Sequence, residues 1–206
     1  MKNIEVEVRG PLSEEQRCEL TEKFEKDGKF VEEKNRFMIC YPDPESGSLV
    51  EDLNTDIRVR NTNGVPELIV KRGKWGEANE SRREYSLKGK KGQFHEMIGM
   101  LGAMGFCRGM AIVRLGKVYM YKGVEFSLME VPGHSYFFEA EIMSEEKDKA
   151  EALKTIRAIC KELGLSVFSE KEFYAHINVL NEEANKEFKI EDFNDDYFFD
   201  RFGIRE

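Results

Sequence analysis

Two short acidic motifs hold the residues best suited to chemistry. They are Glu5-x-Glu7-x-Arg9 near the start of the chain and Glu139-x-Glu141 further along. Spacing of i, i+2 puts each set on one face of an extended strand. Ile4, Val6 and Val8 then point opposite to Glu5, Glu7 and Arg9, while Phe138 and Ala140 flank Glu139 in the same alternation. On an ordinary sheet the charged faces meet water, and cross-strand ion pairs contribute only about 0.2–1 kcal/mol each. Lining a closed cavity, four carboxylates suit one or two hard divalent cations, and adjacent cationic side chains suit phosphate oxygens. Which face is inside decides the function.

Other strand candidates carry charge in the same way: Arg58 and Arg60 alternate with Ile57 and Val59, and Glu67 and Lys71 belong to the run that follows. The charges are segregated, with acids on the first and last strands and bases on the middle ones. Closing such a sheet brings the first and last strands together and gathers the four carboxylates on one wall.

The positioning elements follow from periodicity and turn chemistry. Gly10-Pro11 ends the first strand, and Ser13-x-x-Gln16 has the spacing of a capping box opening a helix to residues 27–28. Residues 29–41 read as one long strand ending in the turn-rich segment 42–47, and Asn63-Gly64 marks a hairpin between 56–61 and 67–72. Residues 82–87 are a further strand. Phe94, Met97, Ile98, Leu101 and Met104 fall at helical spacing, with the methionines expected in the core. Strands are expected over 107–120, 124–130 and 136–143, with turns at Lys122-Gly123 and Pro132-Gly133. A helix over 144–163 is closed by Gly164, and Ser169-x-x-Glu172 opens another toward 187. The acidic, aromatic run 191–202 fits either a docked helix or a loose tail. About eight strands, mostly hairpin-linked, with helices inserted and appended, give an α+β protein: an eight-stranded antiparallel β-barrel with helices packed outside.

Length and charge narrow the classes. At 206 residues one sizeable domain is expected, a body over 1–180 with the acidic stretch 181–206 as its extension. The net charge of -8 argues against nucleic-acid binding through a basic surface. Cys18, Cys40, Cys107 and Cys160 are scattered, without a C-x-x-C and without clustering histidines, so reduced buried thiols are expected and zinc is not. No signal-peptide pattern opens the chain and no apolar run approaches the roughly 20 residues needed to span a bilayer. A cytoplasmic protein with no membrane partner is the expectation.

Glu5-x-Glu7-x-Arg9 resembles the ExExK signature of the CYTH superfamily, the triphosphate tunnel metalloenzymes. The resemblance continues through Arg58-x-Arg60, Leu68-x-x-Lys71, Gly105-Phe106, Arg114, Tyr119 and the closing Phe137-x-Glu139-x-Glu141, to about Leu180. Phe173-Tyr174-Ala175-His176-Ile177 stands where class IV adenylate cyclase-like members carry a tyrosine segment. The resemblance implies an eight-stranded tunnel binding a linear triphosphate with Mg²⁺ or Mn²⁺. It assigns Glu5, Glu7, Glu139 and Glu141 to the metal, and Arg9, Arg58, Arg60, Lys71 and Arg114 to the triphosphate. Glu7 and Arg9 would stand at the reacting centre. The implied partner is ATP, inorganic triphosphate or thiamine triphosphate, bound by a monomer or homodimer. Chemistry would be in-line attack on phosphorus, by water or by a ribose hydroxyl.

Three positions depart from the family pattern. Arg9 replaces the signature lysine, so the charge is kept but not the compact ammonium. Gly116 follows Arg114 where the family has a second basic residue; Lys117 would serve only if a bulge at Gly116 turned it inward. Met129 stands where the family has aspartate; Glu125 shares its face and is a possible substitute ligand, but lies four residues away, too far to occupy the same place. Three functional classes follow: a metal-dependent phosphohydrolase or class IV adenylate cyclase-like enzyme, a CYTH-like module binding polyphosphate or nucleotide triphosphate without turnover, and a structural barrel with solvated charges.

Overall fold

The computed structural model describes residues 3–50, 54–73 and 83–206. In chain order its elements are β1 (Asn3–Leu12), α1 (Glu14–Asp27), β2 (Lys29–Glu33), β3 (Arg36–Tyr41), β4 (Thr55–Thr62), β5 (Val65–Arg72), β6 (Arg83–Lys88), α2 (Phe94–Ala103), β7 (Arg108–Tyr121), β8 (Val124–Val131), β9 (Ser135–Glu145), α3 (Lys149–Glu162), α4 (Glu170–Glu183), β10 (Lys186–Lys189) and α5 (Tyr197–Phe202). The chain forms two compact units, Met1–Lys34 with Leu115–Phe173, and Asn35–Arg114 with Tyr174–Glu206. Strand β7 gives its first half to the second unit and its second half to the first.

In the first unit the strand run is β1-β9-β8-β7, all antiparallel, with β2 on the other side of β7. Val6, Val8, Phe126, Leu128, Phe138 and Ala140 form the apolar sheet face, and Leu20 and Phe24 of α1 with Ile156 and Cys160 of α3 cover it. Phe24 is fully buried, its ring centroid 5.0 Å from Phe126 and 5.1 Å from Tyr121. Helices on the apolar face leave the charged face of β1, β9 and β8 for other use.

In the second unit the run is β7-β3-β4-β5-β6, again antiparallel, with β10 added to β7. With β7 counted once, the two runs make the eight strands expected, in an α+β fold. The Asn63-Gly64 turn forms as anticipated, with φ of 52° and 82°. Asp43 closes the loop between β3 and β4 by accepting backbone N–H bonds from Glu45, Ser46, Asn54 and Thr55.

Both capping boxes form, Ser13 with Gln16 and Ser169 with Glu172. Four expected bounds are corrected, the first at Gly10-Pro11, through which β1 continues to Leu12. Residues 29–41 make two strands, because Asn35 leaves the ladder to exchange hydrogen bonds with Asn63, N–H to side-chain oxygen at 2.9 Å and carbonyl to N–H at 2.9 Å. The helix expected from 144 begins at Lys149, since β9 continues to Glu145 to pair with the start of β1. The helix expected to reach 187 ends at Glu183, and 186–189 become β10. Arg82, expected at the head of β6, lies outside the described residues.

The C-terminal stretch is docked within its unit. Tyr197 and Phe198 are buried, with Phe198 against Phe37 at 5.4 Å and Phe94 at 5.9 Å between ring centroids. Met104 is 62% exposed and Met100 60% exposed, so only Phe94, Ile98 and Leu101 of α2 are core. Cys18 and Cys107 are exposed and Cys40 is half-buried, so of the expected buried thiols Cys160 alone is buried; all four are free. Among the described residues no helix is long and apolar enough to cross a membrane.

Candidate metal centre

Pairing of β1 with β9 brings the two acidic motifs together. Glu7 lies opposite Glu141 and Arg9 opposite Glu139, and β8 extends these rows with Glu125 opposite Glu141 and Ser127 opposite Glu139. One face therefore carries the row Glu7, Glu141, Glu125 beside the row Arg9, Glu139, Ser127. This is the arrangement expected if the first and last carboxylate pairs meet.

Three of the four expected metal ligands form a group. Glu5, Glu7 and Glu141 each offer a carboxylate oxygen within 4.8 Å of the others. That spacing suits a hard cation, which draws oxygens in to roughly 2.0–2.6 Å. Burial raises the proton affinity of Glu141 above the usual carboxylate range; Lys34 opposes this, and the charges of Glu125, Glu7 and Glu139 add to it. Carboxylates crowded until one resists ionisation are a fitting donor set for a divalent cation.

Glu139 is held differently. Arg9 donates from Nε to Glu139 Oε1 at 3.1 Å and pairs through Nη2 with Glu7 Oε1 at 2.5 Å, so its guanidinium joins the two rows. Phe173 stacks on that guanidinium at 5.2 Å. The segment before Phe173 is drawn onto β1 by a bond from the Phe168 N–H to the Arg9 carbonyl, 2.8 Å. Gly10 permits this approach, since a Cβ there would sit 1.9 Å from the Ser166 carbonyl oxygen.

Lys34 belongs to this face and was not singled out by the sequence. It donates from Nζ to Ser127 Oγ at 2.9 Å and stands 3.8 Å from Glu139 Oε2. Its position after β2, in a stretch expected to be continuous strand, concealed it. The row order of β8 likewise brings Glu125 to Glu141, a proximity that counting along β8 from Met129 did not reveal.

Gly116 and Met129 are cross-strand partners, and a Cβ on Gly116 would lie 2.5 Å from Met129 Sδ. Met129 is 2% exposed. The two departures from the family pattern are thus one packing arrangement. The register of β7 with β8 runs through Gly116 without a bulge, so Lys117 stays on the face toward α1, 3.8 Å from Glu25 Oε1. It is not brought together with the acidic rows.

In the second unit the expected basic residues have acidic or amide partners. Arg58 forks onto Asp56, Nε–Oδ1 2.7 Å and Nη2–Oδ2 2.6 Å. Arg60 forks onto Glu67 at 2.8 and 2.6 Å, and Lys71 meets Glu84 at 2.8 Å. Burial pushes the Glu67 carboxyl up, but the Ser86 hydroxyl and Arg60 outweigh it and leave it below the usual range. Arg114 is buried and donates to Asn185 Oδ1 at 3.0 Å and to the Val113 carbonyl at 2.7 Å. The Asn-Gly turn could have foretold one pair, because a two-residue loop from Thr62 to Val65 sets Arg60 opposite Glu67.

No family model and no curated protein matches the sequence. Solved structures do share its fold. A protein of Pyrococcus horikoshii OT3 is 24% identical with a TM-score of 0.66, over 85% of this chain and 98% of that one. A candidate adenylate cyclase of Vibrio parahaemolyticus is 18% identical with a TM-score of 0.60, over 84% and 93%. A candidate adenylyl cyclase from Hippeastrum, described as having dominant triphosphatase activity, is 16% identical with a TM-score of 0.53, over 81% and 90%.

Proposed function

We propose that this chain is a CYTH-type, divalent-metal-dependent enzyme acting on a triphosphate-containing small molecule, as a phosphohydrolase or class IV adenylate cyclase-like lyase. The observation that carries the proposal is the group of Glu5, Glu7 and Glu141 oxygens within 4.8 Å of one another beside Arg9. The fold shared with adenylate cyclase-like and triphosphatase proteins supports it.

Glu5, Glu7 and Glu141 would hold Mg²⁺ or Mn²⁺, which when bound neutralises charge on phosphate oxygens during in-line displacement. Arg9, fixed by Glu7, Glu139 and Phe173, presents a preoriented guanidinium to a phosphoryl group. Arg58, Arg60, Lys71 and Arg114 are proposed as further triphosphate ligands, exchanging their carboxylate or amide partners for phosphate oxygens. Lys117 is not included. Because little covalent chemistry falls to the protein, most acceleration would come from positioning and charge.

A second reading, a binding module without turnover, is favoured by one observation: Met129 and Gly116 put a buried thioether where the resembling family carries charge. One assay panel separates the two. ATP, inorganic triphosphate and thiamine triphosphate are incubated with Mg²⁺ or Mn²⁺ while phosphate, pyrophosphate and cyclic AMP are followed. Pyrophosphate with cyclic AMP identifies a cyclase, and phosphate alone a triphosphatase. Heat stabilisation by triphosphate without turnover identifies the module, and neither turnover nor stabilisation refutes both.

A further inference from the structure

We propose that Lys34 is a phosphate-positioning residue of this centre, presenting to a phosphoryl oxygen the compact ammonium that Arg9 does not provide. The proposal rests on the reading of the Glu5–Glu7–Glu141 group as a metal–triphosphate site, and adds a residue that neither the family pattern nor the shared fold assigns.

Lys34 is 9% exposed, an unusual place for a lysine without full pairing. Its ammonium has three N–H donors. Ser127 Oγ takes one at 2.9 Å, while the nearest carboxylate oxygen, Glu139 Oε2 at 3.8 Å, stands beyond hydrogen-bond length. Among the described residues no further hydrogen bond to this nitrogen is formed. A buried cation with unspent donors is costly unless an acceptor completes it.

The setting says which acceptor. The ammonium stands over the second row of the acidic face, one row from the Glu7–Glu141–Glu125 carboxylates. An oxyanion that also touches a cation held by that group would meet Lys34 on the same side. A phosphate oxygen fits: it is anionic, accepts several donors, and is shared readily between a divalent cation and a lysine. Arg9, forked onto Glu7 and Glu139, would meet such an oxygen as a planar guanidinium and not as a compact ammonium. The backbone of Lys34 is fixed for this role by its N–H bond to the Gly116 carbonyl, 2.8 Å.

A merely charge-balancing lysine makes a different prediction. Its loss would strengthen cation binding by the acidic rows and leave triphosphate binding, in excess metal, unchanged. The test uses the full chain and two variants, Lys34→Met, which keeps the shape and removes the charge, and Ser127→Ala, which keeps the charge and removes its tether. Inorganic triphosphate is titrated calorimetrically in excess Mg²⁺, and Mn²⁺ alone is titrated by electron paramagnetic resonance. The proposal expects Lys34→Met to weaken triphosphate roughly tenfold or more while Mn²⁺ affinity holds or rises. Ser127→Ala should show a smaller loss in the same direction. Unchanged triphosphate affinity in Lys34→Met overturns the proposal, as does a parallel loss of Mn²⁺ and triphosphate in a folded variant. Should Lys34→Met not fold, unchanged triphosphate affinity in Ser127→Ala overturns it. Failure of the wild-type chain to bind triphosphate is a separate result that removes the proposed function itself.

Discussion

Gly116 of β7 and Met129 of β8 face each other across one antiparallel pair, with the methionine sulfur 2.5 Å from where a Cβ on the glycine would be. A side chain at position 116 would have to displace Met129. Two departures from the pattern this chain resembles thus meet in one contact.

That coupling is measurable. Gly116→Ala should cost about 1–3 kcal/mol by overpacking against Met129. In Met129→Ala the same change should cost less, though the Leu128 carbonyl oxygen 2.7 Å from that Cβ remains, giving a coupling of roughly 0.5–3 kcal/mol in a urea-unfolding double-mutant cycle. Additive costs would show that the two positions are independent.

Glu141 sets a pH dependence. Its carboxyl is raised above 4.5 in the folded chain, first by burial and then by Glu125, Glu7 and Glu139 against the pull of Lys34. Between the ordinary and the raised value the native state binds more protons than the unfolded state, so this group's contribution to stability falls as pH rises through that window. Glu141→Gln should therefore melt higher than wild type at neutral pH in a chelator, with the difference disappearing below the ordinary carboxylate value. Circular dichroism melts across pH check both.

Glu67 works in the opposite sense. Its folded value lies below 4.5 despite burial, because Ser86 and Arg60 favour the charged form. The stability it contributes is present above the ordinary value and lost as pH falls through the folded one. Glu67→Gln should cost about 1–2 kcal/mol at neutral pH and make acid unfolding less steep. An unchanged acid profile would contradict the pairing.

Phe173 tests the hold on Arg9. Stacking at 5.2 Å is worth about 0.5–1 kcal/mol at a part-exposed site. Phe173→Leu should then weaken triphosphate by roughly twofold to fivefold while leaving Mn²⁺ affinity unaltered. A change in Mn²⁺ binding of the same size would place Phe173 in the packing of the whole site instead.

Much of this was legible in the sequence where a local rule applied. Alternation of Glu5, Glu7 and Arg9 with Ile4, Val6 and Val8 gave the charged face, and the matching Glu139-x-Glu141 gave its partner strand. Lys34 was not legible, because its place depends on Asn35 leaving the strand to bind Asn63, a contact between residues 28 apart. Glu125 was legible only as a possible ligand four residues from Met129; its place opposite Glu141 comes from strand register, which spacing along β8 does not show. The exposure of Cys18, Cys107 and Met104 was hidden for a simpler reason: residue type carries a burial tendency, and position on the helix or strand decides the case.

The central claim is that Glu5, Glu7 and Glu141 hold a divalent cation. Titration of Mn²⁺ into the chain, followed by electron paramagnetic resonance, tests it with wild type and Glu141→Gln side by side. The account predicts saturable binding to wild type and a loss of roughly tenfold or more in the variant, whose melting in a chelator shows it still folded. No saturable binding to wild type, or equal binding by both proteins, would contradict it.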